Sequence, residues 1–126
     1  MIKNMMIEDV VTAKPNITVR AVIRTLQEKH VGSIVITDNN ERCLGIFTER
    51  DAIRIIASDV PQDTPIEQVM TKNVATIGEE ASLEEAKQLI SSHGGIRHIP
   101  VVNGKGELVG LFSIRKLLDE LFGLTA

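Results

Sequence analysis

Tryptophan and tyrosine are absent from this chain, and its aromatic side chains are limited to Phe47, Phe112 and Phe122. Binders of single-stranded nucleic acid use stacking platforms and a basic surplus. Here the formal net charge is −3, so nucleic acid is not expected as a partner. The one cysteine, Cys43, has no second thiol for an internal disulfide or a metal site, which fits a reducing compartment. It lies in the apolar run Cys43-Leu44-Gly45-Ile46-Phe47, where packing is its expected role. No apolar run approaches the roughly 18 residues of a spanning helix. The apolar start Met5-Met6-Ile7 stops at Glu8 and Asp9, too short for a signal peptide. These absences point to a cytoplasmic protein that does not enter a membrane.

What remains is the balance of a folded globular chain, 43% apolar and 25% charged. At 126 residues it can bury roughly two thirds of its unfolded surface without a covalent staple. The chain is also one unit written twice. An offset of 64 pairs Ile2 with Ile66, Met6 with Met70, Val10 with Val74, Thr12 with Thr76, and Thr18 with Ser82. After one inserted residue near Gly94 the offset is 65, pairing Ile34 with Ile99, Gly45 with Gly110, Phe47 with Phe112, and Arg50 with Arg115. A repeat of this length dictates the architecture.

Each copy opens with a Met-containing segment (2–7; 66–70) and a brief β-like stretch (10–13; 74–77). Thr18 and Ser82 are suited to N-capping, and Ser82 has Glu85 three residues on, as in a capping box. Val19, Val22, Ile23 and Leu26, then Leu83, Ala86, Leu89 and Ile90, recur at helical spacing and predict one core-facing stripe per helix. The helices are expected to end near Gly32 and at Gly94-Gly95. Two hairpins follow, 33–37 with 43–48 and 98–102 with 108–112, joined by Asp38-Asn39-Asn40 and Asn103-Gly104-Lys105-Gly106. Second helices are predicted over 50–57 and 114–122, the latter stopped by Gly123. The order βαββα, twice, is α+β, with repeats at 1–60 and 61–126 expected to pack sheet to sheet about a pseudo-twofold axis.

Thr48 and Asp51 fall at a strand-to-helix junction. The free N–H groups there favour an anion, a carboxylate at Asp51 can accept from ribose hydroxyls, and the pair also reads as a capping box that needs no ligand. The matching residues of the second copy are Ser113 and Lys116, so the two junctions are not equivalent.

The strings Gly45-Ile46-Phe47-Thr48-Glu49-Arg50-Asp51 and Gly95-Ile96-Arg97-His98-Ile99-Pro100-Val101-Val102 resemble the two signature stretches of cystathionine β-synthase (CBS) domains, and the resemblance runs from about Ile2 to Leu121. It implies a Bateman module whose two clefts hold AMP, ADP, ATP or S-adenosylmethionine. By that resemblance Thr48 and Asp51 bind ribose, Arg97, His98, Ser113 and Arg115 bind phosphate, and Val11, Thr12, Ala13, Val31, Gly32 and Ile46 line the adenine pocket. A second cleft would involve Ala75, Ile96, Leu111, Lys116 and Arg50. Lys116 departs there from the Asp of the family pattern, which implies an empty cleft or a more anionic ligand.

A nucleophile beside a base, a carboxylate pair and a phosphate loop are all missing, so catalysis and a required metal or cofactor are not expected. Three readings stand: an adenosine-nucleotide sensor; a ligand-free module acting through protein contacts; and a regulator of a separate enzyme or transporter. The apolar helix surface at Leu117, Leu118, Leu121 and Phe122 adds a homodimer as an expectation under each.

Overall fold

The computed structural model describes residues 1–94 and 96–123. Gly95, which the sequence reading placed at a helix end and at the head of a signature stretch, lies outside the described residues, as do 124–126. The fold is α+β, with two three-stranded sheets and four α-helices among the described residues. Val11–Val74 form one compact unit, and Met1–Val10 with the chain from Ala75 onward form the other.

In the first unit β1 (Thr12–Ala13), α1 (Val19–Lys29), β2 (Ser33–Thr37), β3 (Cys43–Thr48) and α2 (Glu49–Ala57) follow in order. β1 and β2 pair in parallel, which requires the crossover that α1 supplies. β2 and β3 pair antiparallel from Ser33 opposite Thr48 to Thr37 opposite Cys43, with a bulge after Ile36. The Thr18 hydroxyl accepts from the Ala21 N–H and starts α1. Val19, Val22 and Leu26 of that helix meet Ile34, Ile36, Phe47 and Ile55 in the core. Ile66, from the stretch that opens the second sequence copy, completes this core.

The second unit repeats the plan with β4 (Ile77–Gly78), α3 (Leu83–Ser92), β5 (His98–Val102), β6 (Leu108–Ser113) and α4 (Ile114–Leu121). Its core is Ile77, Ala86, Ile99, Val101 and Phe112, and the residue that completes it is Ile2, from the start of the chain. Each lead segment thus packs on the sheet of the other sequence copy. Thr71 exchanges backbone hydrogen bonds of 3.0 and 2.9 Å with Ile46, and Ile7 exchanges bonds of 2.8 and 2.9 Å with Leu111.

Four expectations are corrected or sharpened. The short strands cover less than 10–13 and 74–77, because only Thr12–Ala13 and Ile77–Gly78 have a paired neighbour. α1 ends at Lys29, a little short of Gly32: His30 takes the left-handed C-cap, φ 54°, and its N–H reaches the last carbonyls. Leu83, the first residue of α3, is 40% exposed and does not belong to the core stripe, which Ala86, Leu89 and Ile90 form. Leu117 is not part of the exposed face of α4; it packs against the second core.

Candidate functional site

At the β3–α2 junction both sides of the predicted capping box form. The Thr48 hydroxyl accepts from the Asp51 N–H at 3.3 Å, and Asp51 Oδ2 accepts from the Thr48 N–H at 2.9 Å and its hydroxyl at 3.1 Å. Gly32 contributes its carbonyl to the Glu49 N–H at 3.1 Å, which fixes the first turn of α2 against β2. The cap occupies one carboxylate oxygen. The other, Oδ1, has only long contacts among the described residues, 3.4 Å each to Thr71 Oγ1 and Arg54 Nη2. Arg54 is meanwhile held at 3.0 Å by the Val69 carbonyl. The Asp51 side chain is 13% exposed, so Oδ1 is a sheltered acceptor with capacity to spare.

Register places Ser33 directly across from Thr48, and Thr12 and Ile46 on either side of Val35. By strand alternation these residues share the face of the first sheet opposite its own helices, which is covered on the other side by the core residues Ile34, Ile36 and Phe47. Ser33 is 4% exposed and its Oγ has no hydrogen-bond partner among the described residues. A buried hydroxyl without a partner costs free energy that a ligand atom could recover. The expected adenine set is thereby divided: Thr12 and Ile46 lie on this face, whereas Val11, Ala13 and Val31 pack against the first core. Gly32 serves through its carbonyl.

The corresponding junction of the second unit carries opposite charge. His98 begins β5 opposite Ser113, the Arg97 carbonyl accepts from the Ile114 N–H at 3.2 Å, and Arg115 and Lys116 fall in the first turn of α4. The Ser113 hydroxyl caps the helix by accepting from the Lys116 N–H at 3.3 Å. No acidic residue stands in that first turn. Arg115 and Lys116 thus stand in the first turn of α4, at its positive end, with the Arg97 backbone beside them. Arg97 and Arg115 are exposed and Ser113 is buried. Of the residues assigned to the second cleft, Ile96 packs against the second core, Leu111 pairs with Ile7, Ala75 is half-buried, and Arg50 stands exposed on α2 of the first unit.

Sequence reasoning missed Arg54, Thr71 and Ser33. Arg54 had a signal, since it lies one turn beyond Asp51. Thr71 had none, because its approach to Asp51 depends on where the lead segment docks. Burial pushes the pKa of the Cys43 thiol upward, so it stays protonated and donates to the Gly45 carbonyl at 3.7 Å. Among the described residues no group of His, Cys, Asp and Glu could hold a metal, and no helix is long and apolar enough to cross a membrane.

Comparison with known proteins agrees with this architecture. The CBS domain family profile matches residues 2–58 and 66–123, and the chain belongs to that family. It is 36% identical over 112 residues to an uncharacterized 17.7 kDa protein of Acidianus ambivalens, covering 89% of this chain and 67% of that one. It spans smaller shares, 57% to 20%, of several other curated relatives. Among solved structures, a CBS domain protein from Pyrobaculum aerophilum complexed with AMP is 31% identical, with a TM-score of 0.85 and coverage of 97% and 98% of the two chains. The CBS domain pair of protein MJ0100, in complex with 5′-methylthioadenosine and S-adenosyl-L-methionine, is 25% identical, with a TM-score of 0.86 over 98% and 99%.

Proposed function

We propose that this chain is a regulatory binding module for an adenosine ligand, AMP, ADP, ATP or S-adenosylmethionine, and carries out no catalysis of its own. The observation that supports this most is the state of Asp51: one carboxylate oxygen closes the cap of α2 while the other is sheltered and held only by 3.4 Å contacts. Two adjacent ribose hydroxyls are donors that such an oxygen accepts well. Support also comes from the AMP complex of the Pyrobaculum relative.

In this reading Thr48 and Asp51 take the ribose and Thr12, Gly32 and Ile46 serve the adenine, while Val11, Ala13 and Val31, packed against the first core, back that slot from behind. Arg97, His98, Ser113 and Arg115 serve the phosphates, where forked guanidinium donors suit anionic oxygens. At the position equivalent to Asp51, Lys116 offers donors only, so it cannot accept from a ribose diol. We therefore assign one principal adenosine site and none to the set Ala75, Ile96, Leu111, Lys116 and Arg50. Regulation follows if the ligand binds one arrangement of the chain more tightly than another, because only differential affinity shifts a conformational equilibrium.

Titration calorimetry with AMP, ADP, ATP and S-adenosylmethionine tests the reading. Saturable binding of at least one, lost in Asp51→Ala with the fold intact by circular dichroism, is expected. Flat titrations for all four would overturn it.

A second reading is favoured by one observation: Ile53, Ile56, Leu118, Leu121 and Phe122 are exposed large apolar side chains on and beside α2 and α4. It makes the chain a protein-contact module, self-associating as a homodimer or docking on a separate enzyme or transporter, with no ligand required.

A further inference from the structure

The long contacts to Asp51 Oδ1 come from a segment with its own importance. Residues Val69 to Val74 lead out of the first compact unit, and the chain enters the second at Ala75. This segment is fixed to the first unit by the Ile46–Thr71 backbone pair, by Arg54 on the Val69 carbonyl, and by the Thr71 hydroxyl on Asp51. Arg54 also forms an ion pair with Asp51 Oδ1 at 3.4 Å. One carboxylate oxygen thus ties the exit segment to the N-terminus of α2 through two donors. The second unit cannot repeat this carboxylate device, because the residues at the matching positions are Lys116 for Asp51, Asp119 for Arg54 and Ile7 for Thr71.

We propose that Thr71 is a built-in occupant of the ribose-binding carboxylate, displaced when ligand binds, so that occupancy of Asp51 is reported to the exit segment 69–74. This inference rests on the ribose role of Asp51 given above. A vicinal diol brings two hydroxyl donors to Oδ1, where Thr71 and Arg54 each stand at a distance longer than a well-formed bond. The diol therefore replaces weak internal contacts with shorter ones. Once displaced, the Thr71 hydroxyl no longer ties residues 69–74 to Asp51. The backbone bonds to Ile46 keep the segment in place while its fastening is reduced, a graded change in how firmly residues 69–74 are held to the first unit.

Two measurements on the full chain test this. Affinities for AMP, ADP, ATP and S-adenosylmethionine are compared between the wild-type chain and Thr71→Val, which keeps the side-chain shape and removes the competing donor. Hydrogen exchange over residues 69–74 is followed with and without each ligand. Removal of the competitor should tighten binding of whichever ligand is recognised by roughly fivefold, the worth of one ordinary hydrogen bond. Ligand should speed exchange over 69–74 in the wild-type chain and leave it unchanged in Thr71→Val, where it is already fast. Binding with Thr71→Val equal to or weaker than wild type overturns the inference alone and leaves the ribose reading intact. So does binding to the wild-type chain with no change in exchange over 69–74. Absence of binding of all four ligands to the wild-type chain overturns both.

Discussion

Gly45 lies beneath the backbone of Thr71 so closely that a Cβ on it would come within 2.8 Å of the Thr71 carbonyl oxygen and 2.6 Å of Met70 Sδ. The matching glycine, Gly110, stands in the same relation to Met6 and to the Ile7 carbonyl. The repeated Gly and Met of the sequence thus have one explanation: each lead segment crosses a strand at a point where no side chain fits. Gly45→Ala is expected to lose about 1 to 3 kcal/mol of stability through overpacking, and Gly110→Ala a similar amount. Chemical denaturation measures both. A loss below a few tenths of a kcal/mol in either would mean that the segment shifts aside freely.

Asp51 has a structural role as well as the proposed binding role, and the two separate by substitution. Asp51→Ala removes the return half of the capping box and should cost about 1 kcal/mol of stability, while Asp51→Asn keeps a side-chain oxygen and should cost less. Thermal unfolding of the two variants orders them. Equal stability of Asp51→Ala and the wild-type chain would show that the carboxylate half of the cap contributes nothing to stability.

Much of the fold was legible because the signals are local. Alternating and continuous apolar runs between turn residues located β2 and β3 to the residue, and hydroxyls before apolar stripes located the starts of α1 and α3. The least legible feature was the pairing of each lead segment with the sheet of the other sequence copy. Ile2 and Ile66 occupy equivalent positions in the repeat, so the sequence is equally consistent with each packing at home or away. The compact units 11–74 and 1–10 with 75 onward therefore divide the chain differently from its sequence repeats. The same contact placed Thr71 on Asp51, which is why the carboxylate could be named from the sequence and its internal partners could not. The end of α1, placed near Gly32 from the sequence, is fixed more closely by His30, which takes the left-handed conformation at the cap.

Ile53 on α2 and Leu121 on α4 are 70% and 71% exposed, so neither contributes much to the folded core. Ile53→Asp and Leu121→Asp should therefore leave thermal unfolding nearly unchanged, within about 0.5 kcal/mol. If the chain self-associates through these helices, sedimentation velocity will show a dimer for the wild type and a shift toward monomer for at least one variant. A wild-type chain that sediments as a monomer at all accessible concentrations removes the support for a homodimer.

The β2–β3 turn provides a prediction about acid. The Asp38 carboxylate accepts from the Arg42 N–H at 3.1 Å and the Asn40 N–H at 2.7 Å, and these bonds, helped by the nearby charges of Arg42 and Lys14, hold its pKa below the ordinary carboxylate value. The folded chain therefore binds this proton less readily than the unfolded chain. Asp38 contributes stability above about pH 4 and loses it as pH falls through its lowered folded-state value. The second copy performs the same turn with a neutral residue: Asn103 Oδ1 accepts from the Lys105 and Glu107 N–H groups at 2.9 and 3.0 Å. Asp38→Asn should thus fold with its turn intact but with a flatter acid limb. Its deficit relative to wild type should be present at neutral pH and shrink as the solution is acidified to about pH 3. Urea denaturation at a series of pH values gives the difference directly; a gap that stays constant or widens on acidification would show that the carboxylate charge plays no part in the turn.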